Sequence, residues 1–118
     1  MTPLTLVTGA QGARREAAIA AALVPGLSTA VILEGLPDGK SGLDAAKSSH
    51  LQVARIAPGC LCCTGNLILR VTLNRILRRP PARLFIGLAS ADHVAQIRRF
   101  LSEPPYDALL ALTDDLRL

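Results

Sequence analysis

The chain has 118 residues and a net charge of +4, from 13 Lys plus Arg against 9 Asp plus Glu. That length supports one proper core, burying roughly two-thirds of the surface an unfolded chain exposes, and predicts a single domain over residues 1–118. Half of the residues are hydrophobic but only 3% are aromatic, which argues against nucleic-acid binding by base stacking and leaves packing to Ala, Leu, Ile and Val.

The N-terminal Met1-Thr2-Pro3-Leu4 carries no basic leader and no small-residue cleavage site, so a cytoplasmic protein is expected. Leu4 to Thr8 is a short β-prone run ending at Gly9, and Ala13 to Leu23 is an alanine-dominated run of helix formers. The longest apolar stretch, Ala17 to Val24, falls short of the roughly 18 residues a bilayer requires, so no membrane span is expected. Pro25-Gly26 stops the helix, and Thr29 to Leu33 reads as a strand covered on both faces. Gly35, Pro37, Asp38, Gly39, Ser41 and Gly42 then break any period between Glu34 and Ser49, with a helical turn over Leu43 to Lys47.

Leu51 to Ile56 reads as a third strand leading into Pro58. After Gly65, apolar Leu67, Ile68, Val71, Ile76 and Leu77 with Arg70, Asn74, Arg75 and Arg78 between them predict an amphipathic helix, stopped by Pro80-Pro81. Arg83 to Leu88 is another buried strand, Ser90 or Asp92 caps a helix through Leu101, and Ala108 to Leu112 is the last strand before Asp114-Asp115. Strands alternating with helices predict an α/β fold, a three-layer sandwich with a mainly parallel sheet.

All three cysteines, Cys60, Cys62 and Cys63, fall within four consecutive positions framed by Gly59 and Gly65. Thiolates are soft ligands, and sulfurs this close in a tight turn can grip zinc or another thiophilic ion. Zinc wants four ligands, so water, a histidine (His50 or His93) or a second molecule must complete the shell. The run also contains a C-x-x-C spacing ahead of a helix, which suits redox chemistry, and cysteine is in addition a small buried hydrophobe. A reducing compartment favours metal over a disulfide framework.

The segment Gly9-Ala10-Gln11-Gly12-Ala13-Arg14-Arg15-Glu16 occupies the strand-to-helix position of a phosphate-binding loop. The pattern G-x-x-x-x-G-K-[ST] needs glycines for a backbone cradle, lysine for the terminal phosphate and a hydroxyl for magnesium. Gly9 and Gly12 remain as turn glycines, but Arg14 takes the later glycine slot, Arg15 the lysine slot and Glu16 the hydroxyl slot. Gly9, Gly12, Ala13, Arg14 and Arg15 are therefore a degenerate candidate site for phosphate, since guanidinium does not reproduce a compact ammonium. A carboxylate facing phosphate at about 4 Å costs around 4 kcal/mol at an effective dielectric of 20. The first turn of a helix suits Glu16 in any case.

Taken in order, these segments make the chain resemble the CobW-like family of P-loop GTPases, associated with metal delivery. Leu33-Glu34-Gly35 partly matches the family's Asn-Glu-Phe-Gly-like segment, Gly42-Leu43-Asp44 matches its Gly-Ile-Asp-like element, and Gly59-Cys60-Leu61-Cys62-Cys63 matches its Gly-Cys-x-Cys-Cys signature unchanged. Gly87-Leu88-Ala89-Ser90 stands where the family carries a Glu-x-x-Gly-type magnesium element, without its acid, and the guanine-reading Asn-Lys-x-Asp element would lie further along than residue 118, so the resemblance is to the first part of the family's GTPase domain. The resemblance implies a truncated P-loop NTPase-like domain that holds metal through Cys60, Cys62 and Cys63 and serves metal handling or regulation of a client protein without efficient GTP hydrolysis. GTP with magnesium is the less favoured ligand. Two alternatives stay open: a non-catalytic protein-interaction subunit, and a GTP-binding metallochaperone GTPase assisted by a partner.

Other groups have plain roles beside special ones. Glu34 and Asp44 could approach a metal, but loop acids are ordinarily solvated. Arg70, Arg75, Arg78, Arg79 and Arg83 could face a partner or form the solvated side of an amphipathic helix.

Overall fold

The computed structural model describes residues 1–9, 12–24, 26–35, 50–56, 67–88 and 94–118. Its elements run β1 (Thr2–Thr8), α1 (Gly12–Ala22), β2 (Thr29–Glu34), β3 (Leu51–Ile56), α2 (Leu67–Ile76), β4 (Arg83–Leu88), α3 (Val94–Leu101), α4 (Tyr106–Leu109), β5 (Leu110–Leu112) and β6 (Leu116–Arg117). The strands form a single parallel sheet in the order β3-β2-β4-β1-β5, with β6 also on β1.

Alternation along the strands divides the core into two layers of contact. Leu4 and Leu6 of β1, Ala30 and Ile32 of β2 and Leu84, Ile86 and Leu88 of β4 face Leu69, Leu73 and Ile76 of α2 and Val94, Ile97 and Leu101 of α3. On the opposite face Val7, Val31, Leu33 and Phe85 pack with Ile19 of α1. Each aliphatic side chain removed from water in this way contributes about 1.5–3 kcal/mol, which is why a chain with few aromatics can hold two helical layers on one sheet. The expected three-layer α/β arrangement is present.

The breaks between elements follow from local chemistry. After α2, Arg79 N–H donates to the Ile76 carbonyl at 3.2 Å, and Pro80 and Pro81 supply no N–H to carry the helix on. Arg83 donates from Nη1 to the Ala22 carbonyl at 3.2 Å, satisfying an end carbonyl of α1, while its guanidinium lies 4.8 Å from the Phe85 ring centre. Arg83 thus belongs to β4 and not to the arginine face of α2. Gly35, with φ +101°, turns the chain out of β2 and donates to the Ile56 carbonyl at 2.7 Å.

Three expectations are corrected. The strand placed over Ala108 to Leu112 begins only at Leu110, because Tyr106–Leu109 completes a helical turn in which Ala108 N–H reaches the Pro105 carbonyl at 3.3 Å. A further short strand, β6, resumes the pairing with β1 that β5 begins: Thr2–Leu4 pair with Leu110–Leu112, and Val7–Thr8 with Leu116–Arg117. Thr113 bridges the gap, its N–H reaching the Leu4 carbonyl at 2.9 Å, and Arg98 holds Asp115 at 2.6 Å. The third correction concerns α2, whose existence was expected but whose inward face is Leu69, Thr72, Leu73 and Ile76; Leu67, Ile68 and Val71 point outward.

Candidate phosphate-loop and metal site

In an open parallel sheet, ligands bind beyond the carboxyl ends of the strands, where successive connections leave in opposite directions. Here β1 connects through α1 toward β2, whereas β4 connects through α3 to β5 on the other side of β1. The switch point therefore lies between β1 and β4, and Gly9 and the N-terminus of α1 sit on it. An N-terminal turn presents unpaired N–H groups and a positive dipole end, both of which favour anions.

What fills this position departs from a magnesium-nucleotide site. Arg15, in the lysine slot, is only 7% exposed and folds back so that Nη1 donates to the Gly9 carbonyl. Glu16, in the hydroxyl slot and 5% exposed, accepts from both Arg55 terminal nitrogens, at 2.9 Å and 3.3 Å. Arg55 stands on β3 two residues past Val53, which packs on the α1 side, so the strand's alternation brings its side chain under α1. A carboxylate whose two oxygens are held by a guanidinium cannot act as a hydroxyl ligand of magnesium. The residues present do not fit magnesium-bound nucleotide in the manner of the full motif.

Of the remaining candidates for this loop, Gly12 opens α1 while Ala13 and Arg14 are exposed on its first turn. Gly87, in the magnesium-element region, sits inside β4 opposite Val7 and Leu33; a methyl there would come within 2.9 Å of Leu33 Cδ2, so its position is set by packing.

Cys60, Cys62, Cys63, His93, Asp44 and the helix caps Ser90 and Asp92 lie outside the described residues, as do the Gly42-Leu43-Asp44 element and the turn expected over Leu43 to Lys47. Glu34 is buried at the end of β2, and His50 is exposed just before β3, its carbonyl accepting from Thr29 N–H at 2.8 Å. Among the described residues no group of three His, Cys, Asp or Glu side chains is placed to hold a metal ion. Nor, among them, is any helix long and apolar enough to cross a membrane.

Arg55 is the site residue that sequence reading missed. It lies 39 positions from Glu16, and no local spacing announces such a pair. The available signal was a charged residue inside a short apolar strand, together with an acid in a slot where acids do not belong.

The parallel sheet, the loop after its central first strand and the following helix define a P-loop-type α/β nucleotide-binding domain. A family model described as CobW/HypB/UreG, nucleotide-binding domain, matches residues 3–114, and the chain belongs to that family. It is 32% identical over 118 residues to the zinc chaperone YeiR of Escherichia coli strain K12, an alignment covering 95% of this chain and 35% of that protein. The chain thus spans about one-third of the relative's length. No solved structure matches significantly.

Proposed function

We propose that this domain handles a thiophilic metal ion, zinc foremost, through Cys60, Cys62 and Cys63, and that it does so without efficient GTP hydrolysis. The observation that carries the reading is the state of the magnesium slot: Glu16 is tied in two-point contact to Arg55, while the Gly59-Cys60-Leu61-Cys62-Cys63 run is complete in the sequence. A chain of this family that had lost its metal role along with its nucleotide chemistry would have no need of three clustered thiols. The name of its relative, a zinc chaperone, supports zinc as the ion.

Cysteines bind zinc as thiolates, so loading releases protons and strengthens as pH rises toward the ordinary thiol pKa of about 8.5. An ion held by three sulfurs leaves one coordination position for water or a recipient's donor, which suits transfer. The test is an equilibrium zinc titration against a chromogenic chelator, comparing the natural chain with Cys62→Ser. Loss of bound zinc in the variant is expected, and equal stoichiometry in the two ends the reading. Labelled GTP in the presence of magnesium should show no binding; magnesium-dependent binding would revive a nucleotide-driven metallochaperone.

A second reading, an interaction subunit whose cysteines are idle, is favoured by the outward aliphatic side chains of α2. Survival of partner binding after replacement of all three cysteines would support it.

A further inference from the structure

α2 is amphipathic in an unusual sense, because the side turned away from the sheet is itself divided. Its first two turns present Leu67, Ile68 and Val71, exposed by 57%, 46% and 61%. Arg75 follows on the last turn, with Arg70 alongside, and Arg78 and Arg79 come just past the helix end, all exposed. Residues three and four apart are neighbours on a helix, so Leu67-Val71-Arg75 forms one row that changes from aliphatic to cationic along its length, and exposed Arg78 and Arg79 follow in the turn after the helix. Its own segment carries no counter-charge, the sequence having no Asp or Glu between Asp44 and Asp92; Glu103 lines a cavity with Arg70 and Asn74 at the border of this face. A helix that already buries Leu69, Thr72, Leu73 and Ile76 has satisfied its need for a core. Its outer aliphatics contribute nothing to that core and leave apolar surface in water.

From this juxtaposition we infer that the outer face of α2 docks an acidic amphipathic segment of a partner protein, its apolar side chains lying over Leu67, Ile68 and Val71 and its carboxylates over Arg75, Arg78 and Arg79. Charge complementarity selects an acidic occupant, and the division of the row fixes its direction. Guanidinium groups suit the task because they meet carboxylates in two-point contact and are weakly hydrated. Arg70 is partly engaged, its guanidinium 5.5 Å from the Phe100 ring centre, and it borders the face. The inference is independent of whether the cysteines bind metal.

The test uses the full chain and a fluorescein-labelled helical peptide of about 18 residues, leucine-faced at one end and glutamate-faced at the other. Anisotropy should show saturable binding that weakens about tenfold between low and physiological salt. Arg75→Glu/Arg78→Glu should abolish it and create binding to the lysine counterpart of the peptide. Ile68→Ser/Val71→Ser, with the charge unchanged, should weaken it about tenfold. All these positions are exposed, and unchanged circular dichroism melting confirms folding. Absence of peptide binding overturns the inference, as does binding that Ile68→Ser/Val71→Ser leaves intact, which would be charge attraction alone. Stronger association with phosphatidylserine vesicles than with the peptide would assign the face to a membrane. Concentration-dependent dimerisation lost in Ile68→Ser/Val71→Ser would assign it to a second copy. Either result displaces the acidic partner.

Discussion

α1 and α2 invert each other's use of polarity. α1 is the alanine-rich helix, yet two of its three buried residues are charged, Arg15 and Glu16. α2 buries three aliphatics and a threonine and leaves three more large aliphatics in water. Burying a charge is tolerable only where partners and hydrogen bonds replace lost hydration, and α1 meets that condition with the Gly9 carbonyl and Arg55. α2 meets the opposite problem with threonine: Thr72 Oγ1 donates back to the Ile68 carbonyl at 2.9 Å, so a hydroxyl can face the sheet while Val71 faces out. The contrast teaches that hydrophobicity along a helix does not alone choose its inner face; available partners do.

The contrast is sharpest within α2. Leu73→Ala should cost about 2–5 kcal/mol, since Leu73 is fully buried, whereas Val71→Ala should stay within about 0.5 kcal/mol. Urea unfolding of the two variants decides it, and similar losses would mean that the outer aliphatics are core after all. Next in size is the pair that keeps charge inside α1. Arg55→Ala should destabilise by about 1.5–3 kcal/mol by removing the two-point guanidinium contact from the buried Glu16 carboxylate. That loss should largely vanish in Arg55→Ala combined with Glu16→Ala, a coupling readable from a double-mutant cycle.

The smallest effect concerns the anchor of α2 to α4. Tyr106 is buried, its ring 5.2 Å from that of Phe100 and its hydroxyl donating to Asn74 Oδ1 at 2.8 Å. Burial raises the phenol above its ordinary value of 10.0, partly opposed by the Arg70 guanidinium. The folded state therefore holds this proton more tightly than the unfolded chain does. Its contribution is complete below pH 10 and is lost as pH climbs from there through the raised folded value. Tyr106→Phe should cost about 1 kcal/mol near neutrality and remove the Tyr106 part of the stability decline above pH 10, which melts across that range would show.

Much of the architecture was legible because breakers bound its runs. β3 and β4 fall on the expected residues, Leu51–Ile56 and Arg83–Leu88, each a short apolar segment flanked by turn formers or prolines. The inner face of α2 was not legible because apolar residues occur nearly all round it, and periodicity cannot rank two aliphatic stripes. The end of α4, Ala108-Leu109, was hidden inside the apolar run Ala108–Leu112, and β6 is too short to leave a pattern. At the site, the slots held by Arg15 and Glu16 could be read from spacing, but the role of Arg55 could not, since sheet order alone brings it to α1. The cysteine run remains a statement of sequence chemistry, lying as it does outside the described residues.

Leu118 donates its N–H to the Thr8 carbonyl at 2.9 Å, and a β-carbon on Gly9 would stand 3.0 Å from its own. The missing side chain at position 9 is therefore demanded twice, once by the turn and once by a neighbour from the opposite end of the sequence. Such a glycine would resist replacement even in a molecule that never met a phosphate, because crowding alone forbids a side chain there.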